Sequence, residues 1–187
     1  MKYSGNIVKK ANYIIKNYIL LYIFLIIYTP LIAYLHMNKF SPLENYIVMK
    51  KHPLGKELSS YLILLTSPYT SSINPIIENY NDTYCESYIE DTKSIHNPFN
   101  SIHALALTNL GELTSSLLIL EEFKKNKQKG IITNISTTYF KKARGKITAI
   151  SNINSFKNEE IKCDLYNEEK NLICTVKIKW KISNRNK

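Results

Sequence analysis

The sequence has few of the residues that mark fibrous, disulfide-rich or linker-like proteins. Its 187 residues include 5 glycines, 6 prolines and 3 cysteines. This scarcity of glycine and proline excludes collagen-like and Pro/Gly-rich proteins, and three scattered cysteines exclude both a disulfide framework and a CxxC metal site. Charged residues make up 21% and hydrophobic ones 44%, which excludes a disordered tail and a wholly membrane-embedded protein. We expect no bound metal.

Positive charge is concentrated in the last third of the chain. Residues 1–123 carry 9 basic and 10 acidic side chains, whereas residues 124–187 carry 16 basic and 5 acidic ones. Such a cationic region favours a polyanionic partner, namely nucleic acid, anionic lipid or a multiply phosphorylated small molecule, although a merely solvated lysine-rich surface gives the same composition. The last predicted strand lacks the interleaved aromatic platform of single-strand binders. We therefore expect no nucleic-acid partner.

The longest apolar run lies near the N-terminus. Residues 18–35 contain no charged side chain, and about 20 mostly apolar residues are needed to span a membrane. The run has no small-residue cleavage site of the A-x-A kind. The sequence therefore predicts an N-terminal hydrophobic helix within residues 1–40, with a single membrane span at residues 13–36. A signal or transit segment and a buried helix remain as alternatives, and the compartment, endomembrane or organelle, is open.

The remainder of the chain has the pattern of an α+β domain. Residues 41–69 predict a helical lead-in that begins at Ser41-Pro42 and ends at Ser67-Pro68. Residues 101–123 are apolar at helical spacing, with Ser101 as the expected N-cap. Strand-like segments flank this helix at residues 72–80, 84–91, 131–140, 146–155, 160–167 and 172–183. The pattern predicts one long apolar helix wrapped by about six antiparallel strands.

Two segments resemble the hotdog-fold acyl-CoA thioesterases. In that superfamily an Asn, a His six positions later and an acidic residue nine beyond the His bracket the start of the central helix, as Asn97, His103 and Glu112 do here. Residues 103–107 (HALAL) and 139–145 (YFKKARG) are similar to a poorly characterised thioesterase-like branch, a domain of unknown function. The resemblance covers roughly residues 53–183 and implies a single hotdog domain at residues 70–187.

Thioester hydrolysis is chemically compatible with these residues. A free backbone amide at a helix N-terminus stabilises an oxyanion, and the Ala104 amide is in that position. Asn97 is suited to holding the water or the thioester, and Glu112 to acting as general base or nucleophile. His103 is predicted either to take part in catalysis or to orient the helix start. No cofactor is implied beyond the coenzyme A thioester that serves as substrate.

Each of these residues also has an ordinary structural interpretation. Glu112 is unusual in an apolar helix, but a salt bridge or hydrogen bond would account for it. His103 suits a capping or packing role as well as a catalytic one, and Asn97 suits a turn. The cationic side chains Lys141, Lys142 and Arg144 are either solvated or bind the phosphates of coenzyme A.

The spacing of His103 and Glu112 predicts a dimer. Nine residues of a continuous helix put the two positions about half a turn out of phase and roughly 13 Å apart. A site that uses both therefore needs the carboxylate of a second chain, as in a two-fold dimer with two shared sites. The resemblance also implies a homodimer or a dimer of dimers.

Together these observations predict an acyl-CoA thioesterase, which hydrolyses a fatty acyl thioester of coenzyme A or of an acyl carrier protein at a dimer interface. Two alternatives remain. One is a non-catalytic hotdog module that binds acyl-CoA or acyl carrier protein at a membrane, and the other is a membrane-anchored structural protein or nucleic-acid binder.

Overall fold

The computed structural model describes residues 41–185 together with Ile26 and Thr29. In residues 41–185 the long helix and the six strands follow each other in the predicted order, so the α+β prediction is confirmed. The helices are α1 (Pro42–Met49), α2 (Gly55–Leu64), α3 (Pro68–Ser71) and α4 (Ala104–Lys125). The strands are β1 (Ile76–Tyr80), β2 (Tyr84–Ile89), β3 (Gln128–Tyr139), β4 (Ile147–Asn152), β5 (Glu160–Tyr166) and β6 (Leu172–Asn184).

The six strands form one antiparallel sheet in the order β1-β2-β4-β5-β6-β3. One face of this sheet packs on α4, whose 22 residues are mostly buried, and the arrangement is that of a hotdog fold. Apolar side chains alternate with polar ones along the strands because successive residues point to opposite faces. In β6, Val176 and Ile178 are fully buried while Lys177 and Lys179 are exposed. The predicted alternation of the last strand is therefore confirmed.

Helix α1 packs against the C-terminal half of α4. A capping box starts α1: Ser41 Oγ accepts from the Glu44 amide, and Glu44 Oε2 accepts from the Ser41 amide at 2.6 Å. The amide of Leu43 donates to the buried carboxylate of Glu121 at 3.3 Å, which ties α1 to α4. From β1, the hydroxyl of Tyr80 donates to the Leu117 carbonyl at 2.7 Å. These contacts lie in the C-terminal half of α4 and do not cover its N-terminal half.

Several boundaries differ from the predictions. The lead-in region contains a break at residues 50–54, where the chain turns so sharply that a Cβ on Gly55 would lie 1.8 Å from the Met49 carbonyl oxygen. Residues 72–75 were predicted as strand but complete the turn after α3. The predicted N-cap, Ser101, was wrong: α4 begins at Ala104 and its N-cap is His103. The Ser101 hydroxyl instead donates to Asn97 Oδ1 at 3.1 Å.

The predicted membrane span at residues 13–36 lies outside the described residues, apart from Ile26 and Thr29. Among the residues that are described, no helix is both long and apolar enough to cross a membrane. The span remains a prediction from the sequence.

Helix α4 lies very close to the sheet at Gly111. An alanine is normally favoured over glycine inside a helix by about 1 kcal/mol. A Cβ at Gly111, however, would lie 2.5 Å from Val176 Cγ2 and 2.9 Å from Val176 Cβ. We therefore expect Gly111→Ala to lower the free energy of unfolding by about 1–3 kcal/mol, as overpacking does. Denaturant titration measures this change.

The matched partner for this prediction is Val176→Ala, which removes Cγ2, the atom nearest to the new Cβ. The double variant should lose less unfolding free energy than the sum of the losses in the two single variants. A stability gain in Gly111→Ala alone would contradict the close approach.

Candidate functional site

A small hairpin leads into α4. Residues 95–97 run antiparallel to residues 101–103, since the His103 amide donates to the Ile95 carbonyl at 2.8 Å and the Asn97 amide donates to the Ser101 carbonyl at 2.8 Å. The turn between them contains Asn100 with a φ of 55°. Asparagine tolerates this left-handed conformation better than most residues other than glycine.

The side chain of Asn97 holds this hairpin together. Its Oδ1 accepts from the Phe99 amide at 3.0 Å, the Ser101 amide at 3.3 Å and the Ser101 hydroxyl at 3.1 Å. Asn97 Oδ1 therefore has the turn-stabilising role that was one of the two interpretations of this residue. The Nδ2 group has no hydrogen-bond acceptor within residues 41–185, so Asn97 can offer a ligand a donor.

His103 caps the long helix. Its Nδ1 accepts from the Leu105 amide at 3.1 Å, which places the ring proton of a neutral imidazole on Nε2. The His103 carbonyl accepts from the Ala106 amide at 2.9 Å and from the Leu107 amide at 3.3 Å. Within the described part of the chain, the Ala104 amide is left without an acceptor, at the positive end of the helix dipole.

Asn97 and Ala104 line the same cavity, which has a volume of about 340 Å³. One wall is the hairpin and the start of α4, and the opposite wall is the segment after β3. Its lining residues are Asn97, Phe99, Ser101, Ile102, Ala104, Leu107, Tyr139, Lys141, Lys142 and Ala143. Neither His103 nor Leu105 lines this cavity.

Two of the three predicted cationic residues belong to the cavity wall. Lys141 and Lys142 line it, and Lys141 Nζ also donates to Asn171 Oδ1 at 3.0 Å. The side chain of Arg144 lies outside the lining and contributes to lowering the pKa of Asp91 by its charge. Buried Ala143 anchors the segment, because its carbonyl accepts from the Ile102 amide at 3.1 Å.

Glu112 lies away from this cavity. It is half-buried one helical turn beyond Thr108, on the face of α4 that meets β3, and its Oε1 accepts from the Ser116 hydroxyl at 2.7 Å. Burial raises the pKa of Glu112, and the hydrogen bond from Ser116 opposes that shift. No salt bridge to Glu112 forms among the described residues. A single chain thus brings Asn97 and Ala104 together but not Glu112.

Tyr139 is a site residue that the sequence reasoning missed. It lines the cavity, and its hydroxyl donates to the Ala104 carbonyl at 2.9 Å and lies 2.6 Å from Thr108 Oγ1. These bonds tie the end of β3 to the first turn of α4. Tyr139 stands in the 139–145 motif, but nothing in that segment signals a partner 35 residues away.

The three cysteines are structural. Cys85, Cys163 and Cys174 are free and buried, and burial raises the pKa of each thiol. Cys163 pairs with Val176 and Cys174 with Leu165, so these two cysteines are not directly opposite each other. Across the described residues, no group of three or more His, Cys, Asp or Glu is arranged to hold a metal ion.

The model of a family described as a domain of unknown function (DUF4442) matches residues 55–182, which include the hairpin, α4 and the whole sheet. The chain belongs to this family. No curated protein matches the sequence.

Solved structures share the fold at low sequence identity. A Pseudomonas aeruginosa protein of unknown function, described as a probable thioesterase, is 17% identical with a TM-score of 0.60, over 71% of this chain and 98% of that one. A Staphylococcus aureus thioesterase is 20% identical, with a TM-score of 0.53 over 65% and 98% of the two chains. A Haemophilus influenzae thioesterase is 18% identical with a TM-score of 0.51, over 66% of this chain and 88% of that one. Identities this low establish the fold alone.

The raised pKa of Glu112 gives this DUF4442 domain a specific pH dependence. The folded chain binds the Glu112 proton more tightly than the unfolded chain, whose reference pKa is 4.5, so stability is lost as pH rises through the folded pKa. Glu112→Gln cannot ionise. The variant should therefore gain stability relative to the parent as pH rises from about 4 to about 7, which thermal unfolding at several pH values measures.

Glu44→Gln provides a control of opposite sign. Hydrogen bonds from the Ser41 amide and from Lys124 lower the pKa of Glu44. Its stabilising effect is present above the unfolded pKa and is lost as pH falls through the folded one. This variant should be less stable than the parent near neutral pH, with a difference that shrinks in acid. If the stability difference between Glu112→Gln and the parent did not change with pH, the raised pKa of Glu112 would be contradicted.

Proposed function

We propose that this protein hydrolyses acyl-coenzyme A thioesters at a site shared between two chains. The observation that carries the proposal is the cavity in which a free helix-start amide, an asparagine amide group and two lysines meet. A thioesterase-like hotdog fold is consistent with this chemistry. Attachment to a membrane through the uncharged run at residues 13–36 is part of the same proposal.

Two donors in the cavity are suited to a thioester carbonyl oxygen. The Ala104 N–H and the Asn97 Nδ2 are free of other acceptors within the described residues, and both groups border the same space. As the carbonyl carbon becomes tetrahedral, its oxygen gains negative charge, and preorganised donors stabilise that charge more than the neutral ground state. Because Asn97 Oδ1 is already occupied by the hairpin, Asn97 acts as a donor and does not accept from the attacking water.

The carboxylate would come from Glu112 of a second chain. Glu112 and Thr108 lie on one face of α4, and Thr108 Oγ1 is 2.9 Å from Thr137 Oγ1 on β3. Among the described strands, the 12-residue β3 lies at the end of the sheet and pairs with β6 alone, so its other edge has no partner strand there. Pairing of two β3 edges about a two-fold axis would bring the Glu112 face of one chain towards the cavity of the other.

The proposed hydrolysis has two steps, addition of water and loss of the thiolate. Water adds to the carbonyl carbon while the Glu112 carboxylate takes its proton, and the oxyanion receives the two donors. When the intermediate collapses, the C–S bond breaks, and the proton goes to the departing thiolate to give a carboxylic acid and coenzyme A. A pKa raised by burial makes Glu112 a stronger base than an exposed glutamate. Direct attack by Glu112, with hydrolysis of the resulting anhydride, uses the same geometry.

Lysines at the cavity wall suit the phosphates of coenzyme A. Lys142 is exposed, and Lys141 Nζ donates to the neutral amide oxygen of Asn171. Within the described residues neither lysine forms a salt bridge, so both are available to an anionic ligand. Phe99 is 75% exposed at the same cavity and offers a flat apolar surface to the nucleotide or the acyl part of the substrate.

The first test is hydrolysis of an acyl-CoA chain-length panel by the full-length protein and by Glu112→Gln. Loss of the base should lower kcat by about 10²-fold or more, while dimerisation and acyl-CoA affinity persist. Glu122→Gln is the matched control, since Glu122 is also half-buried on α4 and also accepts a side-chain hydrogen bond.

Mixing Glu112→Gln chains with Asn97→Ala chains tests the shared site. A mixed dimer has one site with both groups intact and one with neither, so part of the activity should return. Parent-level activity in Glu112→Gln would make this residue structural. A parent protein that binds acyl-CoA in a dialysis assay but hydrolyses none of the panel would instead be the non-catalytic binding module.

The second test concerns the phosphates. Replacing Lys141, Lys142 and Arg144 together by alanine should raise KM by about tenfold or more with little change in kcat, because phosphate contacts are equal in the ground and transition states. The control removes an equal number of positive charges from the outer face of the sheet, by replacing Lys177, Lys179 and Lys181 with alanine. An equal rise in KM in both variants would indicate general attraction by the positive field and would contradict a phosphate site at the cavity.

A further inference from the structure

The carboxylate of Asp91 joins two segments that are distant in sequence. The β2–β4 pairing ends at Ile89 and Ile147, and continuing this register by two residues would place Asp91 opposite Gly145. The strands separate there, and Asp91 Oδ2 accepts from the Gly145 amide at 2.8 Å. Asp91 Oδ1 forms an ion pair with His96 Nε2.

His96 is held on both sides of its ring. Its Nδ1 lies 3.1 Å from Asn100 Oδ1, while Nε2 meets the Asp91 carboxylate. Both ring nitrogens therefore face side-chain oxygens, which fixes the orientation of the ring. The hydrogen bond from His96 is the main cause of the lowered pKa of Asp91, with further contributions from the Gly145 amide and from the charges of His96 and Arg144.

These contacts connect the two walls of the cavity. His96 belongs to the hairpin that carries Asn97, and Gly145 closes the segment that carries Lys141 and Lys142. Asp91 and His96 do not themselves line the cavity, so they act on it through their neighbours. The side chains of Asp91 and His96 are 24% and 21% exposed, which shields their contact from much of the solvent.

We propose that Asp91 and His96 are positioning residues that set the spacing between the oxyanion wall and the lysine wall of the site. This inference rests on the proposed thioester hydrolysis. The hairpin keeps Asn97 and the start of α4 together through its own bonds, from Asn97 Oδ1 to Ser101 and from the His103 amide to Ile95. Loss of the Asp91 contacts would leave the oxyanion donors intact. The hydrogen bond from the Ile102 amide to the Ala143 carbonyl would remain as a direct link between the two walls, and the position of the lysine wall relative to the donors would be less firmly fixed.

This distinction predicts a dependence on substrate length. An acyl-CoA reaches both walls, whereas an acyl N-acetylcysteamine thioester lacks the phosphates and reaches only the oxyanion wall. Asp91→Ala should lower kcat/KM for the acyl-CoA by about tenfold or more, and for the short thioester by about threefold or less. General loosening of the site would lower both values by the same factor.

Two further variants separate positioning from general stability. Asp91→Asn can accept from the Gly145 amide and donate to a neutral His96, so it should restore most of the acyl-CoA activity that Asp91→Ala loses. Asp164→Ala is the matched control on the outer face of the sheet. Asp164 has a side-chain exposure of 21%, forms an ion pair with Lys162 and accepts from Thr175. This control should leave the ratio of the two substrate activities unchanged.

Hydrogen exchange of the full-length protein separates failure of this inference from failure of the proposed function. Without substrate, Asp91→Ala should accelerate amide exchange in residues 95–103 and 140–146, and Asp164→Ala should not. If the parent hydrolyses no thioester but exchange accelerates as expected, the proposed function fails and the link between the walls stands. Unchanged exchange, or an unchanged substrate ratio in an active enzyme, overturns the positioning role.

Discussion

The structure depends on how one sheet covers a long, largely apolar helix. Helix α4 has 22 residues, and the inner face of the sheet packs against it so closely that Gly111 leaves no room for a Cβ beside Val176. The sheet alone does not complete the burial of α4. Helix α1 lies against its C-terminal half, where the buried carboxylate of Glu121 accepts a hydrogen bond from the Leu43 amide. The N-terminal half lacks this cover, and the cavity forms there.

At this open end, residues serve the fold with one atom and leave another for chemistry. Asn97 uses its oxygen to close the hairpin and retains its Nδ2. His103 uses Nδ1 to cap the helix and retains Nε2. The structural and functional interpretations of these residues are therefore compatible, because a hairpin fixed by Asn97 and a helix start fixed by His103 also fix the donors that face the cavity.

The sequence predicted those features that arise from local periodicity. Burial on one face produces alternation in strands such as β6 and a helical repeat in α4, so both were recognisable. The N-cap was misjudged because Ser101 is a good capping residue whose hydroxyl is already used by Asn97. The contacts of Tyr139 with Ala104 and of Asp91 with Gly145 join residues 35 and 54 positions apart, and no local pattern records such pairings.

The separation between the oxyanion donors and Glu112 follows from the same helix. A continuous α4 fixes the start of the helix and residue 112 roughly 13 Å apart and on different faces, and no side-chain rotation removes that distance. Glu112 lies instead on the face beside the unpaired edge of β3, with a neutral hydroxyl as its hydrogen-bond partner. Its burial disfavours the charged form of the carboxylate in a single chain. A second chain paired along β3 would put this carboxylate opposite the donors that a single chain cannot bring to it.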